Sequence, residues 1–110
     1  MKEPVSTFAP TLRFDIFIAG DYHLAKDICR KWALEVGACV TVERVDYVYS
    51  GGEEAGVRIG LINYPRFPTT YEELKEKTRD IANRLMIGLS QLSYSIVGPD
   101  ETEWVSRRPA

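Results

Sequence analysis

Apolar side chains at Leu12, Phe14, Ile16 and Ile18 alternate with Arg13, Asp15, Phe17 and Ala19, a period of two that predicts a strand with one strongly apolar face. Gly20 and Asp21 interrupt it. Beyond them the spacing changes: Leu24, Ile28, Trp32 and Val36 recur every fourth residue, and Ala25, Cys29 and Ala33 widen the stripe. That is a helix, capped by Asp21 and ended by Gly37. Residues 38–49 read as a long second strand, residues 50–55 as a glycine-rich turn, and Val57, Ile59 and Leu61 as a third strand antiparallel to the second.

The segment NYPRFP that follows is an extended connection, because each proline fixes its own φ and drives its predecessor away from helix. Thr70 with Glu73 three residues on is a capping-box signature, and Leu74, Ile81, Leu85 and Leu89 carry the apolar stripe of a second helix. Leu92, Tyr94 and Ile96 alternate as a fourth strand. Gly98-Pro99-Asp100 then turns the chain, leaving residues 103–106 for a short edge at most. The order strand, helix, strand, strand, helix, strand predicts an α+β, ferredoxin-like sandwich: a four-stranded antiparallel sheet with two helices on one face. Residues 1–10, with two prolines and no periodicity, are expected to form a flexible leader, and residues 11–110 a single domain.

With both helices on one face, the other face is bare. By strand parity Phe17, Val45, Tyr47, Tyr49, Ile62 and Tyr64 point towards it, more large apolar surface than a monomer usually leaves in water. A bulge near Arg44 would invert part of strand two and hide some of them. The favoured reading is a homo-oligomer packed through its sheets.

Composition narrows the function classes. A chain of 110 residues with 45% hydrophobic and 27% charged residues is a soluble globular protein with one core. Its formal net charge of -2, with no basic stripe apart from the terminal Arg107-Arg108 pair, argues against nucleic-acid binding, and its apolar runs are strand-sized, so no membrane span is expected. Lys2, Glu3 and Pro4 do not resemble a signal peptide, and Cys29 and Cys39 read as reduced core residues. Both observations point to the cytoplasm. His23, the sole histidine, is expected to be solvated, and no cysteine or histidine spacing suits a metal. A phosphate loop would lead into a helix, whereas SGGEEAG leads into a strand and carries negative charge.

The acidic turn is the candidate chemistry. Gly51, Gly52 and Gly56 satisfy a tight turn, and Glu53 and Glu54 are surplus to its geometry. With Tyr47 and Tyr49 on one side of the hairpin and Asn63, Tyr64 and Arg66 at its exit, they form a set suited to a cationic ligand: aromatic faces attract positive charge, a carboxylate pairs with an ammonium or sulfonium, and an arginine holds a ligand carboxylate. Each tyrosine alternatively fills the oligomer interface.

The stretches CVTVERVD and EEAGVRI resemble the corresponding part of phage enzymes that degrade S-adenosylmethionine, in which a V-E-x-x-D strand, a tyrosine and an E-E pair followed by V-R-V occur in that order on a ferredoxin-like trimer. The matching residues are Val42, Glu43, Asp46, Glu53, Glu54, Val57 and Arg58. The family's connection from tyrosine to acidic pair is longer, so Tyr47 and Tyr49 compete for one role. The resemblance implies a cofactor-free lyase, a homotrimer with sites between subunits, that forms 5'-methylthioadenosine and homoserine lactone as the substrate's carboxylate attacks its own γ-carbon. Glu54 and Tyr47 would then be the catalytic pair, Glu54 holding the α-amino group or a substrate hydroxyl in preference to Glu53, and Tyr47 orienting the methionyl chain. Glu53, Tyr49, Asn63 and Arg66 would complete the substrate site. The alternative is a non-enzymatic phage-type protein that binds a small metabolite or a host protein through the same hairpin.

Overall fold

The computed structural model describes residues 1–109. Its elements are β1 (Arg13–Ala19), α1 (Tyr22–Val36), β2 (Thr41–Tyr49), β3 (Gly52–Ile62), α2 (Tyr71–Gly88), β4 (Ser93–Val97) and β5 (Thr102–Ser106). The strands make one sheet in the order β2-β3-β1-β4-β5, and every neighbouring pair is antiparallel. Five strands replace the expected four. Gly98 donates to the Glu101 carbonyl at 2.9 Å and returns the chain along β4, where Val105 packs on the core and Glu103 takes Arg79 of α2 at 2.6 Å. These contacts make the edge a full member of the sheet.

The helix ends follow their capping residues. Asp21 accepts from the Leu24 amide at 2.9 Å, Gly37 closes α1 at φ 71°, and Thr70 accepts from the Glu73 amide at 3.2 Å. Buried residues of both helices, among them Trp32, Ile81 and Leu85, meet Ile16, Ile18, Ile59 and Ile96 of the sheet, so the core lies between one sheet face and the helix pair. In α1 the buried line is Ala25, Cys29 and Trp32, while Leu24 and Val36 are partly exposed; the helix is turned slightly from its expected stripe. The Trp32 indole donates to Asp80 at 2.7 Å and Arg84 holds Glu35 at 2.7 Å, which locks α1 to α2.

Two further expectations are corrected. The β2–β3 turn is only Ser50-Gly51, with Tyr49 opposite Gly52 and Gly51 at φ 87° supplying the left-handed position. Glu53 and Glu54 are therefore strand residues on opposite faces. Cys39 is exposed, its thiol 3.5 Å from the Tyr64 hydroxyl, whereas Cys29 is buried and burial pushes its thiol up to about 12. The β2–β3 register runs unbroken from Thr41 opposite Gly60 to Tyr49 opposite Gly52, without a bulge. His23 is exposed, beside Arg44 at 3.3 Å.

Candidate functional site

The unbroken register decides which side chains share the helix-free face. Tyr47 stands directly opposite Glu54, Tyr49 lies one step further out, and Phe17, Ser95 and Trp104 occupy one cross-strand row through β1, β4 and β5. The middle of this face is less apolar than expected, because Arg58 pairs with Glu43 at 2.9 Å and Arg13 with Asp15 at 2.9 Å.

Tyr47 owes its position to a glycine. A Cβ at Gly56 would lie 2.3 Å from Tyr47 Cε2 and 2.6 Å from the Ile18 carbonyl oxygen, so only glycine lets the ring lie across β3. The Tyr47 hydroxyl then donates to the Val57 carbonyl at 2.6 Å. Burial pushes this phenol above its usual range, so it stays neutral over the physiological range. Tyr49, more exposed, donates to Glu54 Oε1 at 3.2 Å, and its phenol is pushed up by burial and then by that carboxylate.

A cleft of about 250 Å³ opens between Tyr47 and Glu54 on one side and Trp104 and Arg108 on the other, floored by Phe17 and Ala19 and edged by Gln91, Ser93 and Ser95. Its aromatic walls belong to β2 and β5, four strand spacings apart, or roughly 19 Å at about 4.8 Å each. The Tyr47 ring lying over Gly56 narrows that span. Trp104 is 63% exposed on this face.

The six expected site residues separate into three groups. Tyr47 and Glu54 line the cleft, and Tyr49 adjoins them through Glu54. Glu53 is opposite Val48 on the other face of the hairpin. Asn63 is 6% exposed and fully used: its Nδ2 donates to the Pro10 carbonyl at 2.8 Å, and its Oδ1 accepts from the Thr69 amide at 2.8 Å. It clamps the end of the leader, nine residues from Glu54 and so roughly 30 Å away along the strand direction. Arg66 is in an exposed turn, its guanidinium 5.3 Å above the Phe67 ring. Within one chain, Asn63 and Arg66 do not join the cleft.

Trp104, Arg108, Gln91, Ser93 and Ser95 are the lining residues that sequence reasoning missed. The available signal was the alternation of Trp104 with Val105, which marks a strand with an outward tryptophan. Among the described residues no group of three or more histidine, cysteine or acidic side chains converges to hold a metal ion, and no helix is long and apolar enough to cross a membrane.

No protein-family model and no curated protein matches the sequence. Solved structures do match: phage SAM lyase in the apo state, at TM-score 0.69 and 13% identity, covers 98% of this chain and 99% of its own. In fold, the chain is similar to phage SAM lyase. The structure of phage SAM lyase in complex with S-methyl-5'-thioadenosine matches at TM-score 0.67 and 13% identity, covering 96% of each chain. The likeness spans the whole chain, well beyond the short stretches that carry the sequence resemblance.

Proposed function

We propose that this protein is an S-adenosylmethionine lyase that forms 5'-methylthioadenosine and homoserine lactone. One observation carries the reading: Glu54 and Tyr47 face each other at an aromatic-walled cleft, on a fold similar to a phage SAM lyase that has been captured with S-methyl-5'-thioadenosine. In the step, a carboxylate oxygen of the substrate attacks its γ-carbon, the carbon–sulfur bond breaks, and the sulfur keeps the electron pair. The sulfonium and carboxylate charges cancel, and no proton moves. The protein therefore needs to hold the methionyl chain in an attacking conformation and exclude water.

Glu54 pairs with the substrate α-ammonium, and Tyr49 steadies that carboxylate. A carboxylate against the sulfonium would stabilise the charged ground state more than the transition state, so Glu54 acts by orienting. The neutral Tyr47 phenol packs on the methionyl chain. At about 250 Å³ the cleft falls short of the roughly 300–1,000 Å³ usual for sites that enclose a small molecule. A neighbouring subunit would close it, and a homotrimer is the favoured assembly; Glu53, Asn63 and Arg66 stand outside the cleft of their own chain. We read the order β2-β3-β1-β4 with its two helices as ferredoxin-like, with β5 an addition, and place the activity in the host cytoplasm.

The test is incubation of purified protein with S-adenosylmethionine, following both products by chromatography and mass spectrometry. Both form with the wild type, and about 100-fold more slowly with Glu54→Gln. Intact substrate after prolonged incubation with correctly assembled protein overturns the reading, and binding without product moves it to a metabolite-binding protein.

A further inference from the structure

Resting on the lyase reading, we propose that Arg108 receives the α-carboxylate of the substrate, so that Glu54 and Arg108 together recognise the amino-acid end as a zwitterion. Other arginines are already engaged: Arg58 holds Glu43, Arg79 holds Glu103, and Arg107 spends its guanidinium on backbone carbonyls. Arg108 has no carboxylate within ion-pair distance among the described residues, and it lines the same cleft as Glu54.

The placement follows from parity and an anchor. Val105 turns to the core and Arg107 reaches the Met86 carbonyl at the end of α2, so the side chains next to them in sequence, Trp104 and Arg108, emerge on the opposite, helix-free face. Arg107 pins the tail at that point, its amide donating to the Leu92 carbonyl at 2.8 Å and its Nε to the Gln91 carbonyl at 2.9 Å. A cleft with one anionic and one cationic side chain repels a phosphate through Glu54 and an amine lacking an acid group through Arg108. It suits a ligand carrying both charges on one carbon frame. Held through one oxygen, the carboxylate keeps its other oxygen free to attack the γ-carbon. Because that carboxylate loses its charge as the ring closes, Arg108 contributes to substrate binding more than to the chemical step.

The experiment compares wild type, Arg108→Ala and Arg108→Lys in turnover of S-adenosylmethionine and in competitive binding of decarboxylated S-adenosylmethionine and 5'-methylthioadenosine. Arg108→Ala raises KM about 10- to 100-fold with kcat changed by less than about threefold, the loss expected for a hydrogen bond to a charged group. Arg108→Lys recovers part of that loss. Binding of the decarboxylated compound and of methylthioadenosine, which lack the carboxylate, is unchanged. Wild-type turnover with an Arg108→Ala variant that keeps its KM, or that weakens all three compounds alike, overturns the assignment and leaves the lyase reading standing. A wild type that neither binds nor converts S-adenosylmethionine overturns both.

Discussion

Replacing Gly56 with alanine tests how the fold aims Tyr47. The new Cβ would sit 2.3 Å from Tyr47 Cε2 and 2.6 Å from the Ile18 carbonyl oxygen, and the second contact is backbone that cannot rotate away. Relieving it displaces the ring and breaks the 2.6 Å bond from the Tyr47 hydroxyl to the Val57 carbonyl. Crowding costs about 1–3 kcal/mol and the lost hydrogen bond about 0.5–1.5 kcal/mol, while the narrower unfolded ensemble of alanine returns about 0.4–1 kcal/mol. The net loss is centred on about 2 kcal/mol, which lowers the urea midpoint by roughly 1 M at a typical slope of about 2 kcal/mol/M. The assay is urea unfolding followed by fluorescence of the buried Trp32, beside turnover of S-adenosylmethionine. Tyr47→Phe is the companion variant, since it removes the hydroxyl and keeps the ring; it should lose about 1 kcal/mol. A Gly56→Ala midpoint within about 0.2 M of wild type, with activity intact, would refute the view that this glycine positions the tyrosine.

The faces of β3 predict that Glu54→Gln and Glu53→Gln differ: the first lowers kcat/KM about 100-fold and the second by less than about threefold, measured by product formation. Asn63→Ala leaves the Pro10 carbonyl and the Thr69 amide without partners and should cost about 2–4 kcal/mol in thermal unfolding, with the leader cut sooner by protease and KM unchanged. For Cys29 the folded pKa, pushed by burial from 9.0 to about 12, lies above the unfolded one, so its contribution is fully present below pH 9 and is lost as pH rises towards 12. Stability in that window should fall by at most about 1.4 kcal/mol per pH unit from this group. Cys29→Ala should flatten the slope; an identical alkaline profile would assign it to other groups.

Periodicity and punctuation made the elements legible without coordinates. Asp21, Gly37 and Thr70 act through hydrogen bonds and backbone geometry within a few residues, so their effects are written locally, and the apolar face of β1 follows from a strict period of two. That the acidic residues and the tyrosines share one hairpin was legible for the same reason, since a hairpin brings together residues close in sequence. What remained hidden depends on register and return path. Whether Glu53 or Glu54 faces the cleft is a matter of one residue in the turn, and glycines at 51, 52 and 56 allow more than one turn length. Only the pairing of Tyr49 with Gly52 decided it. The far wall was hidden because β5 is short and its membership in the sheet depends on Val105 and Glu103 finding partners on the core and on α2. Asn63 and Arg66 lie away from the cleft of their own chain because an extended strand carries its two ends far apart, a distance that proximity in sequence does not convey. The sequence by itself determined the local elements and the acidic, tyrosine-bearing hairpin, whereas strand register chose Glu54 over Glu53 for the cleft and long-range strand pairing brought Trp104 and Arg108 to face it.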